Sequence, residues 1–155
     1  MKKIYLAARY SRREELCGYR QALESAGYEV TSRWLNGNHQ IDDAGLSAEA
    51  SASERSRFAT EDWEDLMAAD TTINFSETPR GTTSRGGRHV EFGAALAAGQ
   101  TVIVVGPREN VFHCLPQVEW FQSWGDFAHI LLSETQARPS SGLAKARGFQ
   151  AGGVL

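Results

Sequence analysis

The sequence predicts an open α/β sandwich, a parallel sheet covered by helices on both faces. Three observations carry this. Short β-prone runs alternate along the chain with stretches whose apolar residues recur every three or four positions. Thr101-Val102-Ile103-Val104-Val105 is a continuous β-branched run, the composition of a strand buried on both faces. A length of 155 residues, 41% of them hydrophobic and 23% charged, suffices for one domain with a sizeable core and not for two.

The elements follow in order. Lys3 to Ala7 is β-prone and opens onto Arg9 to Glu15, where Ser11 is placed to cap a helix with Glu14 three residues on. Leu16, Tyr19, Leu23 and Ala26 form one apolar stripe, and Gly27 occupies the C-terminal position that tolerates positive φ. Tyr28 to Ser32 is the second strand. From Trp34 to Ala52 the chain carries Asn36, Gly37, Asn38 and Gly45 without periodicity, which predicts a long functional loop. Helical spacing returns over Ser53 to Ala69 with Ala59, Trp63, Leu66 and Met67 on the stripe, and Thr71 to Phe75 is the third strand. A polar loop from Ser76 to Arg85 leads to a glycine-marked entrance at Gly86-Gly87, an Ala-rich helix and a stop at Gly99. After the strand Thr101 to Val105, Val118 to Phe121 is a weaker fifth strand, and Ser123 with Asp126 makes a capping box for a last helix through Leu132. The expected sheet has about five strands. The expected domain spans 1–136. Residues 137–155 hold Arg138, Lys145 and Arg147 and no acidic residue, and read as a flexible, solvated tail.

Composition narrows the partners. Sixteen Lys and Arg against 19 Asp and Glu leave a net charge of -3, so no nucleic-acid polymer is expected. The apolar stretch within Met1 to Arg9 is shorter than the core of about 7 to 15 residues in a signal peptide, and no run approaches the roughly 18 that cross a bilayer. No membrane partner is expected, and a cytoplasmic location is. Cys17 and Cys114 form no C-x-x-C pair, and His39, His89 and His113 show no H-x-x-x-H or H-E-x-x-H spacing, so neither a disulfide framework nor a metal site is expected.

In open parallel sheets ligands bind beyond the carboxyl ends of the strands, where the strand order reverses. The loop Ala8-Arg9-Tyr10-Ser11 has no glycine, which argues against an NAD or FAD dehydrogenase. Gly81 to Gly87 has the outer glycine spacing of a P-loop, but Gly87 stands where the lysine belongs, which argues against ATP hydrolysis. No cofactor is expected. There remains a helix N-terminus lined by Ser84, Arg85, Arg88 and His89, with Glu91 in the expected first turn. Free N–H groups and the helix dipole favour an anion there and favour an ionised Glu91. Such a carboxylate is either a nucleophile or a simple complement to the dipole. Asp62, at about 100° per residue, flanks the arc of Ala59, Trp63 and Leu66. It looks into a cleft there, or faces solvent within the acidic run Glu61 to Asp65. Tyr5 either meets a carboxylate or fills the core.

The combined pattern of Ile4-Tyr5-Leu6-Ala7, Asp62 eight residues ahead of Asp70, and Gly87-Arg88-His89-Val90-Glu91-Phe92-Gly93-Ala94-Ala95 before a strand resembles the nucleoside 2-deoxyribosyltransferase family. It also resembles the related 2'-deoxynucleoside 5'-phosphate N-hydrolases. The likeness runs from Lys3 to about Leu132, and Glu91 to Ala95 is its most specific piece. It implies a flavodoxin-like fold and cleavage of an N-glycosidic bond with retention, through a glycosyl-enzyme ester resolved by another base or by water. Glu91 matches the nucleophile, Asp62 the aspartate that aids the departing base, and Tyr5 the tyrosine that orients the nucleophile. The resemblance further implies a small nucleoside or nucleotide as substrate and a homodimer or higher homo-oligomer as the assembly. The basic loop with Arg80, Arg85 and Arg88 departs from the pattern, and no residue after Val105 matches the one a neighbouring subunit donates. Trp34 is expected to stack on the base, or else to pack beneath the loop, with Asn36 hydrogen-bonding the base. Ser11, Arg12, Ser84, Arg85, Gly87 and Arg88 are expected around a 5'-phosphate. The competing readings are a nucleoside monophosphate phosphoribohydrolase of the lysine-decarboxylase-like group and a non-catalytic nucleotide sensor.

Overall fold

A computed structural model of the chain describes residues 2–37, 39, 48–79 and 86–137. Five strands, β1 (Lys3–Ala7), β2 (Glu29–Val30), β3 (Thr71–Phe75), β4 (Thr101–Val105) and β5 (Val118–Phe121), pair in parallel in the order β2-β1-β3-β4-β5. Between them run α1 (Arg13–Ser25), α2 (Ala48–Met67) and α3 (Gly87–Ala97), and α4 (Trp124–Ala137) follows β5. This is the flavodoxin-like order, and it turns back between β1 and β3, opening a crevice beyond their carboxyl ends. In the register Tyr5 lies across from Thr72 and Ala7 from Asn74. Every residue of β3 is buried, as are four of the five in β4, so the β-branched run does lie in the sheet interior.

Local chemistry explains where the elements depart from expectation. Ser11 caps nothing: Tyr10–Arg12 is a turn of 3-10 helix, and α1 starts after it at Arg13. The expected strand from Tyr28 to Ser32 pairs only over Glu29–Val30. Beyond it the Leu6 N–H donates to Ser32 Oγ at 2.7 Å and Trp34 Nε1 donates to the Leu6 carbonyl at 2.9 Å. Side chains thus satisfy the backbone groups that a longer ladder would have used. The chain turns there into a 3-10 helix at Arg33–Asn36, closed by Gly37 at a φ of 97°.

The helix expected from Ser53 already runs from Ala48. Its buried face is Ser51, Phe58, Asp65 and Leu66, while Ala59, Trp63 and Met67 are exposed, so the expected stripe is rotated. Asp65 turns inward because it accepts from the Arg33 N–H and Nε, each at 2.7 Å, which ties α2 to the turn after β2. At the start of α3, Asn74 Nδ2, buried on β3, donates to the Arg88 carbonyl at 2.9 Å. Ser123 Oγ accepts from the Asp126 N–H at 3.2 Å as the expected cap. The Asp126 carboxylate accepts from the Ser123 hydroxyl at 2.7 Å in place of the backbone N–H of a full capping box, and the helix continues past Leu132 to Ala137. A further 3-10 helix at Val111–Cys114 has no counterpart in the sequence reading. No described helix is long and apolar enough to cross a membrane. The expected tail from 138 onward, and the loop 80–85 with Ser84 and Arg85, lie outside the described residues.

Candidate active site

Tyr5 sits in the middle of β1, fully buried, and its hydroxyl donates to Glu91 Oε1 at 2.6 Å. This bond links β1 to α3 across the crevice. Glu91 lies just beyond the first turn of α3, which holds no acidic residue. The expectation of a carboxylate kept ionised by the helix dipole is therefore corrected. Burial pushes the Glu91 carboxyl up to about 7, against the Tyr5 hydrogen bond and with added repulsion from Asp62. Desolvation outweighs a dipole whose influence fades within the first turn. The Tyr5 phenol is raised well above its ordinary value by burial and then by Glu91.

Asp62 reaches the same crevice from α2. Burial raises its carboxyl to about 6, the nearby His39 opposing and Asp65 and Glu61 adding to the rise. Its Oδ1 is buried with no hydrogen-bond partner. His39, 4% exposed at its side chain, holds Nε2 2.9 Å from Glu61 Oε2 and 3.7 Å from Asp62 Oδ1, and its ring packs on Phe58. Close as it is to Glu61, the imidazole has no hydrogen bond of good geometry at either nitrogen. Sequence reasoning considered His39 only as a metal ligand and passed over it. Its partners lie across the long loop on another element, and nothing local in the sequence points to them.

Two recesses meet at the carboxylates. A polar one of about 210 Å³ is lined by Arg9, Tyr10, Trp34, His39 and Arg88, and an apolar one of about 300 Å³ by Ala59, Trp63, Leu66 and Val90. Asp62, Gly87 and Glu91 border both. Arg88 is buried, bonds Glu109 Oε1 through Nη2 at 2.7 Å and leaves Nε without a hydrogen-bond partner. Trp34 edges the polar recess but is itself buried, with its indole N–H committed to Leu6.

The structure thus brings Tyr5, Asp62, Glu91, Trp34, Gly87 and Arg88 together, and places three other residues elsewhere. Ser11 is exposed on its 3-10 turn. Asn36 is exposed and accepts from Arg20 Nη1 at 3.0 Å. Arg12 is held by both oxygens of Glu15, at 2.7 and 2.8 Å, and lines a separate cavity of about 370 Å³ with Tyr19 and Trp124.

No family model matches the chain, and no curated protein matches it by sequence. Solved structures do share its fold. A 2-deoxyribosyltransferase from the psychrotolerant bacterium Bacillus psychrosaccharolyticus superposes with a TM-score of 0.60 at 22% identity, covering 81% of this chain and 90% of its own. The CMP N-glycosidase BcmB of Clostridium botulinum superposes with a TM-score of 0.53, also at 22% identity, covering 86% of this chain and 99% of its own. The fold is therefore one that a deoxyribosyltransferase and an N-glycosidase both use, the two kinds of protein that the motifs resemble.

Proposed function

We propose that this protein cleaves the N-glycosidic bond of a nucleoside or, by preference, its 5'-monophosphate, with Glu91 as nucleophile, and that it works as a homo-oligomer. The observation that carries this reading is the Tyr5–Glu91 hydrogen bond, at the strand-order reversal of the sheet and beside a second desolvated carboxyl, Asp62. Two carboxyls that share one crevice and are both shifted toward neutrality can divide the roles of nucleophile and acid between them. The two neighbours in fold act on the same kind of bond by their names.

In this mechanism ionised Glu91 attacks C1' on the face opposite the base, and the C1'–N bond breaks. Its electron pair goes to the base, which takes a proton from Asp62. The glycosyl ester is then opened by water, or by a second base, as Asp62 recovers the proton and Glu91 leaves as a carboxylate. Tyr5 holds the attacking carboxylate in one orientation, and His39 stands against Asp62 where it steadies the charge left after proton transfer. Arg9 and Arg88 line the polar recess, each paired with a carboxylate, Glu77 and Glu109, through one edge of its fork, and their remaining donors suit a phosphate oxygen.

The test is a panel of ribo- and deoxyribonucleosides and their 5'-monophosphates, with and without a free acceptor base, followed by chromatography. Free base or exchanged nucleoside is expected, with a higher kcat/KM for monophosphates. Release from ribonucleotides alone would favour the phosphoribohydrolase alternative, and no release from any member would leave only a sensor. Equal or better turnover of unphosphorylated nucleosides would overturn the phosphate preference.

A further inference from the structure

Glu109, in the loop after β4, is the buried carboxylate that the mechanism leaves unused. Its side chain is 7% exposed, yet two hydrogen-bond donors and an imidazole nitrogen converge on it. Arg88 Nη2 at 2.7 Å and His89 Nε2 at 2.8 Å meet Oε1, and the Glu77 backbone N–H donates to Oε2. Glu77 in turn places Oε1 3.2 Å from Arg9 Nε. Two Arg–Glu pairs, Arg9–Glu77 and Glu109–Arg88, are thereby joined through the Glu77 backbone N–H across the carboxyl edge of the sheet, and both arginines line the polar recess beside Glu91.

The geometry of Arg88 shows what such pairing does. A guanidinium offers five N–H donors in a rigid fork, so fixing one edge dictates where the others point. Glu109 takes Nη2, Nε is buried and unpartnered, and the residue lines the recess. With Glu109 removed, the carboxylates that border the recess are Asp62 and Glu91, the pair the chemistry needs free. A buried guanidinium without its counter-charge would turn to them or swing to solvent.

We propose that Glu109 is a positioning residue for the substrate's phosphate end: it fixes Arg88 with its free edge toward the recess and keeps it off the reacting carboxylates. The proposal rests on the glycosidase reading for its substrate class, and its test measures binding so that the two can fail separately. CMP and dCMP, with cytidine and deoxycytidine as controls, are titrated calorimetrically onto Glu91→Gln protein, which does not turn over. Added to that background, Glu109→Gln and Arg88→Ala are each expected to weaken monophosphate binding about tenfold and to leave the nucleosides within about twofold. The two together are expected to be no worse than Arg88→Ala alone, as residues acting through one contact are non-additive. Glu109→Asp, which keeps the charge, should weaken binding less than Glu109→Gln and serves where the amide variant does not fold. Unchanged monophosphate affinity in Glu109→Gln, effects that multiply in the double variant, equal losses for the nucleosides, or no monophosphate binding by the parent would each overturn the proposal. Base release by unmutated protein decides the glycosidase reading independently.

Discussion

Glu91 shows how a single residue sets activity against stability. Folded, its carboxyl keeps a proton up to about 7, whereas the unfolded chain loses it near 4.5. The folded state therefore binds more protons across that window, and its stability falls as pH rises through it. Glu91→Gln removes the desolvated charge while keeping an oxygen for the Tyr5 hydroxyl. The variant is expected to release no base, to be more stable than the unmutated protein by about 1 to 3 kcal/mol near pH 8, and to differ little near pH 4. Urea unfolding at the two pH values checks this, and a variant destabilised at both would show that the charge is not strained. Because the proposed reaction needs Glu91 ionised and Asp62 protonated, kcat/KM should follow a bell with its maximum between about 6 and 7. A profile flat from pH 5 to about 8 would separate these two groups from the chemistry. Tyr5, Asp62 and Glu91 were legible in the sequence through motif position. Their surroundings were not, because His39 meets Asp62, and Glu109 meets the neighbouring Arg88, only through the fold.

At the scale of elements, the strap between Arg33 and Asp65 fixes how α2 presents Asp62. Asp65 is buried and accepts two hydrogen bonds from one residue, a backbone N–H included. Asp65→Ala would leave that N–H without its acceptor, while the exposed Arg33 guanidinium keeps Glu64 and the Glu61 carbonyl, so a loss of about 1 to 3 kcal/mol, set by the backbone N–H, is expected in urea unfolding. Base release should fall as well, since Asp62 lies one turn earlier on the same helix. A stable Asp65→Ala protein with full activity would mean that the apolar face of α2 alone holds its orientation. This contact also explains what the sequence concealed. Strands β1, β3, β4 and β5 were legible because their β-branched and aromatic runs are bounded by turn residues, and Gly27, Gly86 and Gly99 marked helix ends at φ of 89°, 85° and 73°. The rotation of α2 was not, because apolar spacing assigned Trp63 and Met67 to the core, while an aspartate held by a distant arginine occupies the buried face instead. The shortness of β2 was concealed for a like reason, its ladder being replaced by the Ser32 and Trp34 side chains.

Over the whole molecule, that rotation leaves an apolar face where water is least wanted. Trp63 is 52% exposed and Val90 66% exposed, and both flank the apolar recess that Asp62 and Glu91 border. Met67, on the same helix as Trp63, is 39% exposed. Contiguous apolar surface at the rim of a recess commonly marks an interface, and an open recess would admit bulk water beside the carboxyl proposed as nucleophile, which burial holds up at about 7. A second copy of the chain across α2 and α3 would cover this face, at about 800 Å² per protomer for a stable pair. The protein is therefore expected to sediment as a dimer or higher oligomer at micromolar concentration. Val90→Glu should yield single chains with a near-unchanged melting temperature, since Val90 packs little within its own chain. The same variant should lose more than about tenfold in kcat/KM, because the recess beside Glu91 is then left open. Unmutated protein that sediments as a single chain at full activity would overturn the assembly and leave this face to a different role.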